Sequence, residues 1–151
     1  MFTATVKAST ARDEAEILGL IETIHQAHYR KDGAAIAAGY TPDAVVFDLA
    51  PPLSHRGVNA EEKQAWLDTW EGPVERESRD FSITISGNTA FGQGFYRLGG
   101  NKKGVSEPIS FWMRATLRLR REDNAWRIVH EHISVPFYMD GSLRPAFDLQ
   151  P

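Results

Sequence analysis

The chain contains no cysteine, which excludes disulfide bonds, thiolate catalysis and every cysteine-based metal motif. No apolar run approaches the roughly 20 residues that a membrane helix needs, and the N-terminal residues lack an apolar segment after a basic start. The 17 Lys and Arg residues are scattered among 20 Asp and Glu residues, so phosphates meet no dense basic track. We therefore expect a cytoplasmic protein that binds neither a membrane nor nucleic acid.

The composition is that of an ordinary globular protein. Hydrophobic residues make up 42% and charged residues 25% of 151 residues, which suffices for one hydrophobic core. The sequence shows no repeat, linker or low-complexity stretch. We expect a single domain that spans residues 1–151.

The first predicted element is an amphipathic helix over residues 10–30. Thr10 with Asp13 three residues later is typical of a helix start, because the two side chains can cap free backbone N–H groups. One face of this helix carries Ile17, Ile21, Ile24 and His28, and it is flanked by Leu18, Leu20 and His25. The 3.6-residue spacing aims this face inward, so both histidines are expected to face the core.

Two further helices are expected before the sheet. A short helix from Gly33 to about Gly39 should stop before Thr41-Pro42, because proline disfavours helical geometry in the preceding residue. A third helix should start at Asn59 and end at Gly72-Pro73. It would carry Trp66 and Trp70 on one face, either as lid or core residues or as rings that stack on a bound ligand.

The rest of the chain predicts strands. Residues 44–49 form a short apolar run interrupted by the carboxylate of Asp48. Four longer strands are expected at residues 74–86, 89–98, 107–121 and 125–135. Short turns join them, so they should pair antiparallel, with the helices covering one face of the sheet.

This order of elements, with the segments YTPDAVVFDLAPPLSHRG at 40–57 and NAWRIVHEHISVPF at 124–137, resembles the nuclear transport factor 2-like superfamily. The closest likeness is to SnoaL-like and ketosteroid-isomerase-related proteins. The resemblance implies an α+β roll of the cystatin-like kind, in which a cone-shaped, mostly antiparallel sheet packs against three N-terminal helices around a deep pocket. Members include isomerases, cyclases, dehydratases, epoxide hydrolases and non-catalytic adaptors, so the fold alone fixes no chemistry.

The resemblance places Asp48 where ketosteroid isomerase has its general base. Between Phe47 and Leu49 its carboxylate should be partly desolvated, which would raise its pKa; the alternative is a carboxylate held by a loop N–H or an arginine. The tyrosine and aspartate that stabilise the oxyanion in that enzyme fall on His25 and near Ala115. His25 is therefore either a hydrogen-bond donor to a ligand or a core histidine.

His130 and His132 lie two residues apart, so on a regular strand both point to one face and Glu131 to the other. The resemblance implies that the histidine face lines the pocket. There the two rings would bind a ligand carboxylate or exchange protons, with structural hydrogen bonding as the alternative. Spacing identifies no third ligand, so we expect neither a metal nor a cofactor.

Alternation along the later strands gives the remaining candidates. Gln93, Phe95 and Arg97 share one face, which we expect to line the cavity, with Arg97 pairing an anionic ligand or Asp48. Strict alternation sends Trp112 outward with Arg114. A bulge would reverse that assignment, so Arg114 is assigned to the pocket or to a dimer interface.

The leading hypothesis is a homodimer that binds a small, apolar or weakly acidic organic ligand. It would catalyse isomerisation, cyclisation or dehydration without a cofactor, with Asp48 as the base and His130 or His132 polarising the ligand oxygen. The alternative is a non-catalytic ligand-binding or oligomeric adaptor domain. Epoxide hydrolysis ranks last, because the predicted pocket strands offer no second aspartate beside an arginine.

Overall fold

Three helices and one six-stranded sheet make up the fold. The computed structural model describes the backbone of residues 3–151 and the side chains of residues 10–151. The helices are α1 (Thr3–Tyr29), α2 (Gly33–Ala38) and α3 (Ala60–Leu67). The strands are β1 (Tyr40–Phe47), β2 (His55–Arg56), β3 (Trp70–Ser86), β4 (Thr89–Lys102), β5 (Ile109–Glu122) and β6 (Ala125–Ser134). Within residues 3–151, no helix has both the length and the apolar character needed to cross a bilayer.

The sheet is curved and unclosed, with strand order β2-β1-β6-β5-β4-β3. All neighbouring strands pair antiparallel except β1 and β6, which run parallel. The α+β architecture predicted from the sequence is confirmed. We call the face of the sheet that joins the helices in the core its inner face, and the opposite face its outer face.

Helix α1 begins earlier than predicted. It starts at Thr3, so the expected start at Thr10 is wrong, and Asp13 lies inside the helix. The buried Asp13 carboxylate accepts hydrogen bonds from Arg121 Nη1 at 2.8 Å and Trp126 Nε1 at 3.1 Å. This tie fastens α1 to β5 and β6. The inward stripe is as predicted, with five buried members: Ile17, Ile21, Ile24, His25 and His28.

The third helix ends earlier than predicted. Asn59 caps its start by accepting a hydrogen bond from Glu62 N, as the sequence indicates. The helix then stops at Leu67, so Trp70 opens β3 instead of lying on the helix. The two rings still meet, with centroids of Trp66 and Trp70 5.6 Å apart.

Two glycines decide which face of β4 points inward. The ring of Phe81 covers Gly92 and Gly94, and a Cβ on Gly94 would lie 2.8 Å from Phe81 Cα. Phe81 also stacks on Tyr96, with ring centroids 5.5 Å apart. The buried side chains of β4 are therefore Tyr96 and Leu98. The cavity placement predicted for the alternate residues Gln93, Phe95 and Arg97 is wrong, because they lie on the outer face.

A bulge in β6 reverses the predicted face of the two histidines. His130 pairs with Arg118 and Ile128 with Leu119, which leaves Val129 without a partner on β5. The extra residue moves every later side chain to the opposite face. Glu131 and Ile133 are consequently buried, whereas His132 is exposed. The prediction that the histidine face lines the pocket is wrong.

The side chains of β5 alternate regularly between the two faces of the sheet around Trp112 and Arg114. Met113 and Ala115 are buried, whereas Arg114 is exposed on the outer face and donates from Nε to Ser134 Oγ at 3.1 Å. Trp112 lies on the same side, under the guanidinium of Arg79. Strict alternation is confirmed here. The homodimer expected from this face stays a prediction, which sedimentation of the purified chain would test.

Candidate functional site

A cavity of about 690 Å³ opens between the inner face of the sheet, helices α2 and α3, and the loop after β1. This volume is within the range of small-molecule sites. Its wall is largely apolar and includes Ile36, Val46, Trp66, Trp70, Leu98, Ile109, Phe111, Met113 and Ile133. A few polar groups interrupt that wall, and their environments differ sharply.

Glu131 is the buried carboxyl of the cavity. The bulge in β6 turns it inward, and Tyr40 Oη donates a hydrogen bond to Glu131 Oε2 at 3.0 Å. Burial raises the pKa of Glu131, because a charged carboxylate loses its hydration there, and the negative charge of Asp48 raises it further. The positive charge of Arg76 opposes this shift. The protonated form of Glu131 therefore persists above the pH at which an ordinary glutamate ionises.

Asp48 is the second carboxyl on the cavity wall. It follows the last residue of β1 and is exposed, so the predicted desolvation is wrong. Its Oδ1 accepts a hydrogen bond from Leu49 N at 2.7 Å. Val46 is the register partner of Glu131. Asp48 comes two residues after Val46 and therefore lies on the same, inner face of the sheet. Because Asp48 is exposed to solvent, it lies near the mouth of the cavity.

Trp66 and Trp70 both lie on the cavity wall. Lys102 Nζ lies 5.8 Å from the Trp66 ring centroid and 5.0 Å from that of Trp70. Lys63 Nζ lies 5.3 Å from the Trp66 ring centroid. The two indoles therefore combine a flat apolar surface with neighbouring positive charge.

The two helix histidines differ in their access to this cavity. His28 lines it and donates from Nδ1 to Ile24 O at 2.8 Å. His25 lies outside the lining, edge-on to Tyr96 with ring centroids 4.8 Å apart. Burial, aided by the charge of Arg76, lowers the pKa of His25 to about 3 and also lowers that of His28. His25 is therefore a neutral core histidine outside the wall of this cavity.

Six candidate residues lie on the outer face, away from the cavity: Gln93, Phe95, Arg97, Arg114, His130 and His132. The rings of His130 and His132 pack edge-on against Phe47, with centroids 5.0 and 5.5 Å away. His130 Nδ1 donates to Val45 O at 2.8 Å. A mechanism that joins Asp48 to these imidazoles in one cavity is therefore contradicted.

Arg97 has its partners on the outer face. It forms ion pairs with Glu75 at 3.0 Å and Glu77 at 3.4 Å. The predicted pairing of Arg97 with Asp48 is wrong for the same reason that its cavity placement is wrong. The packing of Phe81 on Gly92 and Gly94 decides which side chains of β4 point to the inner face and which to the outer face.

Sequence reasoning missed most of the polar residues of the cavity, among them Tyr40, Arg76 and Glu131. One signal for Glu131 was present, because the adjacent apolar residues Ile128 and Val129 break the alternation that a regular strand would show. Arg76 carries no comparable signal, since it lies among charged residues in a strand that is mostly exposed.

The chain is similar to a known protein family and to solved structures. The model of the SnoaL-like domain matches residues 17–138. No match was found among curated proteins. An NTF2-like protein of unknown function from Pseudomonas putida KT2440 is 31% identical, with a TM-score of 0.80 over 93% of this chain and 98% of that one.

Two other similar structures share the fold at low identity. One is described as a putative scytalone dehydratase from Novosphingobium aromaticivorans, 11% identical, with a TM-score of 0.78 over 92% of this chain and 94% of that one. The other is a ketosteroid isomerase-like protein from Erwinia carotovora atroseptica, 20% identical, with a TM-score of 0.65 over 80% of this chain and 93% of that one.

Proposed function

The chain belongs to the SnoaL-like domain family, and from that premise we propose that its cavity binds a small, largely apolar molecule with a carbonyl group and moves a proton on it. One observation carries this proposal. Two of the three carboxyl groups on the cavity wall lie in contrasting environments: Glu131 is buried and has a raised pKa, whereas Asp48 is exposed. Two carboxyls whose surroundings separate their acidities can act as an acid and a base together.

In the proposed reaction Asp48 accepts a proton from a carbon next to the ligand carbonyl. The protonated Glu131 donates its proton to the carbonyl oxygen, so the electron pair of the broken C–H bond ends in an enol. Return of a proton at a different carbon completes an isomerisation, and departure of a β-hydroxyl group as water completes a dehydration. The Tyr40 hydroxyl, which donates to Glu131, holds that carboxyl in place.

The rest of the wall supports such a ligand. Indole, phenyl and aliphatic side chains exclude water and give an apolar molecule a matching surface. Two of the similar structures are named after a dehydratase and a ketosteroid isomerase, which fits these reaction classes. The open cavity favours ligand binding over an adaptor role, because Arg97 lies on the outer face and does not neutralise Asp48.

Epoxide hydrolysis is the second candidate, because the reason for ranking it last is wrong. Glu131 supplies the second carboxyl that the predicted pocket strands lacked, and Arg76 lines the same cavity. Such a reaction needs a water molecule held between the two carboxyls with an arginine beside them. Among the described residues, however, Arg76 makes no ion pair with either carboxyl.

Hydrogen exchange in heavy water tests the proposal. The chain would be incubated with a panel of cyclic enones, β-hydroxy ketones and a control epoxide, and deuterium next to the carbonyl followed by NMR. We expect at least one carbonyl compound to exchange faster than in buffer. Ile109→Trp, which fills the cavity wall, should abolish the effect, whereas Phe91→Trp on the exposed outer face should not.

Two results would count against this function. One is a panel in which no carbonyl compound exchanges above the buffer rate. The other is exchange that Ile109→Trp leaves unchanged. Opening of the epoxide without any carbonyl exchange would favour the hydrolytic candidate.

A further inference from the structure

Arg76 lies on the cavity wall, and no residue among 10–151 pairs with its charge. It lies on β3 opposite Leu98, and its Nε is buried with no hydrogen bond. Within residues 10–151, nothing accepts a hydrogen bond from its guanidinium or forms an ion pair with it. Its one packing contact of note is the Tyr96 ring, whose centroid lies 5.3 Å from Cζ. Arg76 is half-buried and its Nε is withdrawn from water without an acceptor, so an anion in the cavity would stabilise it.

The groups around Arg76 do not supply that anion. Its charge acts on His25 and His28, which stay neutral, and on Tyr40 and Tyr96, whose hydroxyl pKa values are raised by burial. Glu131 is close enough to feel the charge, yet burial still disfavours its ionised form. The groups around this permanent positive charge are therefore neutral histidines, neutral hydroxyls and a carboxyl whose ionisation burial disfavours.

The charge of the whole cavity wall points the same way. Four lining residues are cationic: Arg56, Lys63, Arg76 and Lys102. Three are carboxyls: Asp48, Glu62 and Glu131. With four cations against three carboxyls, the wall carries an excess of positive charge although the whole chain has a net charge of -3. Such a local excess of positive charge attracts anionic ligands.

We propose that the ligand is an organic acid, whose carboxylate binds the guanidinium of Arg76 while its apolar body lies against the tryptophan wall. This inference rests on the proposed function only in taking the cavity as a ligand site. Arginine suits the task, because its planar fork can donate two parallel hydrogen bonds to a carboxylate, and the Tyr96 ring supports the guanidinium. The ligand class is thus a monocarboxylic acid with a ring-sized apolar body.

A matched pair of probes tests this assignment. Naphthoate and its uncharged amide, naphthamide, have the same rings and differ in the charged group. Calorimetry at neutral pH should show that the wild-type chain binds naphthoate about 10- to 100-fold more tightly than naphthamide. Arg76→Gln should reduce this preference to about 2-fold or less, and Arg76→Lys should retain part of it, because the charge remains without the fork.

The outer face supplies the control. Arg118→Gln removes an exposed arginine from strand β5, and it should leave the preference for naphthoate over naphthamide unchanged. Equal affinity of the wild-type chain for both probes, no binding of naphthoate up to about 1 mM, or a preference that survives Arg76→Gln would each overturn the inference. Equal loss in Arg76→Gln and Arg76→Lys would also overturn it, since it would indicate a structural role.

The two proposals fail separately. Loss of the acid preference in Arg76→Gln with no proton exchange on any carbonyl compound would leave the anion site standing and remove the catalytic proposal. Proton exchange by a chain that binds naphthoate and naphthamide equally would support the catalytic proposal and remove the anion site.

Discussion

Glu131→Gln should slow proton exchange on any carbonyl compound that the chain accepts by about 10²- to 10⁴-fold. Glutamine has the size of glutamate and still accepts the hydrogen bond of Tyr40, so the cavity keeps its shape. It cannot give up a proton as a carboxylic acid does, so the carbonyl oxygen loses its acid. The measurement is the initial rate of deuterium uptake at saturating ligand, with binding affinity determined separately.

One further variant tests the proposed base, and another serves as a control. Asp48→Asn should cause a loss in the same range, because it removes the proposed base from the mouth of the cavity. Glu77→Gln removes an outer-face carboxylate that pairs with Arg97, and it should leave the rate unchanged. A Glu131→Gln chain that exchanges protons within about threefold of the wild-type rate would show that Glu131 is not the acid.

Acid should destabilise this fold steeply, beginning near pH 6.5. Burial lowers the folded-state pKa of His25 from 6.5 to about 3 and also lowers that of His28. Above pH 6.5 both states are neutral and the two residues add no pH dependence. Below it the unfolded chain binds protons that the folded chain does not, so the free energy of unfolding falls as pH falls. Each histidine contributes about 1.4 kcal/mol per pH unit.

Urea titrations across this pH range isolate the effect. His25→Leu, of similar volume, should reduce the acid slope by about 1.4 kcal/mol per pH unit relative to the wild type. Glu131 acts with opposite sign, because its raised pKa makes stability fall as pH rises through the range above 4.5, and the comparison cancels this term. His132→Leu, at an exposed outer-face position, should leave the slope unchanged. Parallel pH profiles for the wild type and His25→Leu would contradict the assignment.

The fold could be predicted from the sequence because its main signals are periodic. The apolar stripe of α1, the Asn59 cap and the turns between the long strands depend on local spacing, and they appear where that spacing indicates. Boundaries depend on tertiary partners. Asp13 resembles a capping residue in the sequence, but Arg121 and Trp126, more than 100 residues away, hold its carboxylate inside a longer helix.

The site was harder to predict because one residue changes the phase of a strand. Because of the bulge at Val129, Glu131 points into the cavity in place of the predicted His130 and His132. The contact of Phe81 with Gly92 and Gly94 likewise decides the face of β4, and it comes from a different strand. The adjacent apolar residues Ile128 and Val129 are a local sign of the bulge, but alternation has no information about the packing of Phe81. The helix end was predicted wrongly, but Trp66 and Trp70 still line the cavity, because they lie on either side of the short turn between α3 and β3.

The central claim is that Glu131 is a buried carboxyl that keeps its proton beyond the ordinary range. Carbon-13 NMR of the glutamate side-chain carboxyls, with the Glu131 signal assigned by its absence in Glu131→Gln, measures this directly without a ligand. We expect the Glu131 carboxyl to titrate above the ordinary value of 4.5, and Asp48→Asn to bring that pKa closer to it. Titration of Glu131 at or below 4.5 would contradict the account.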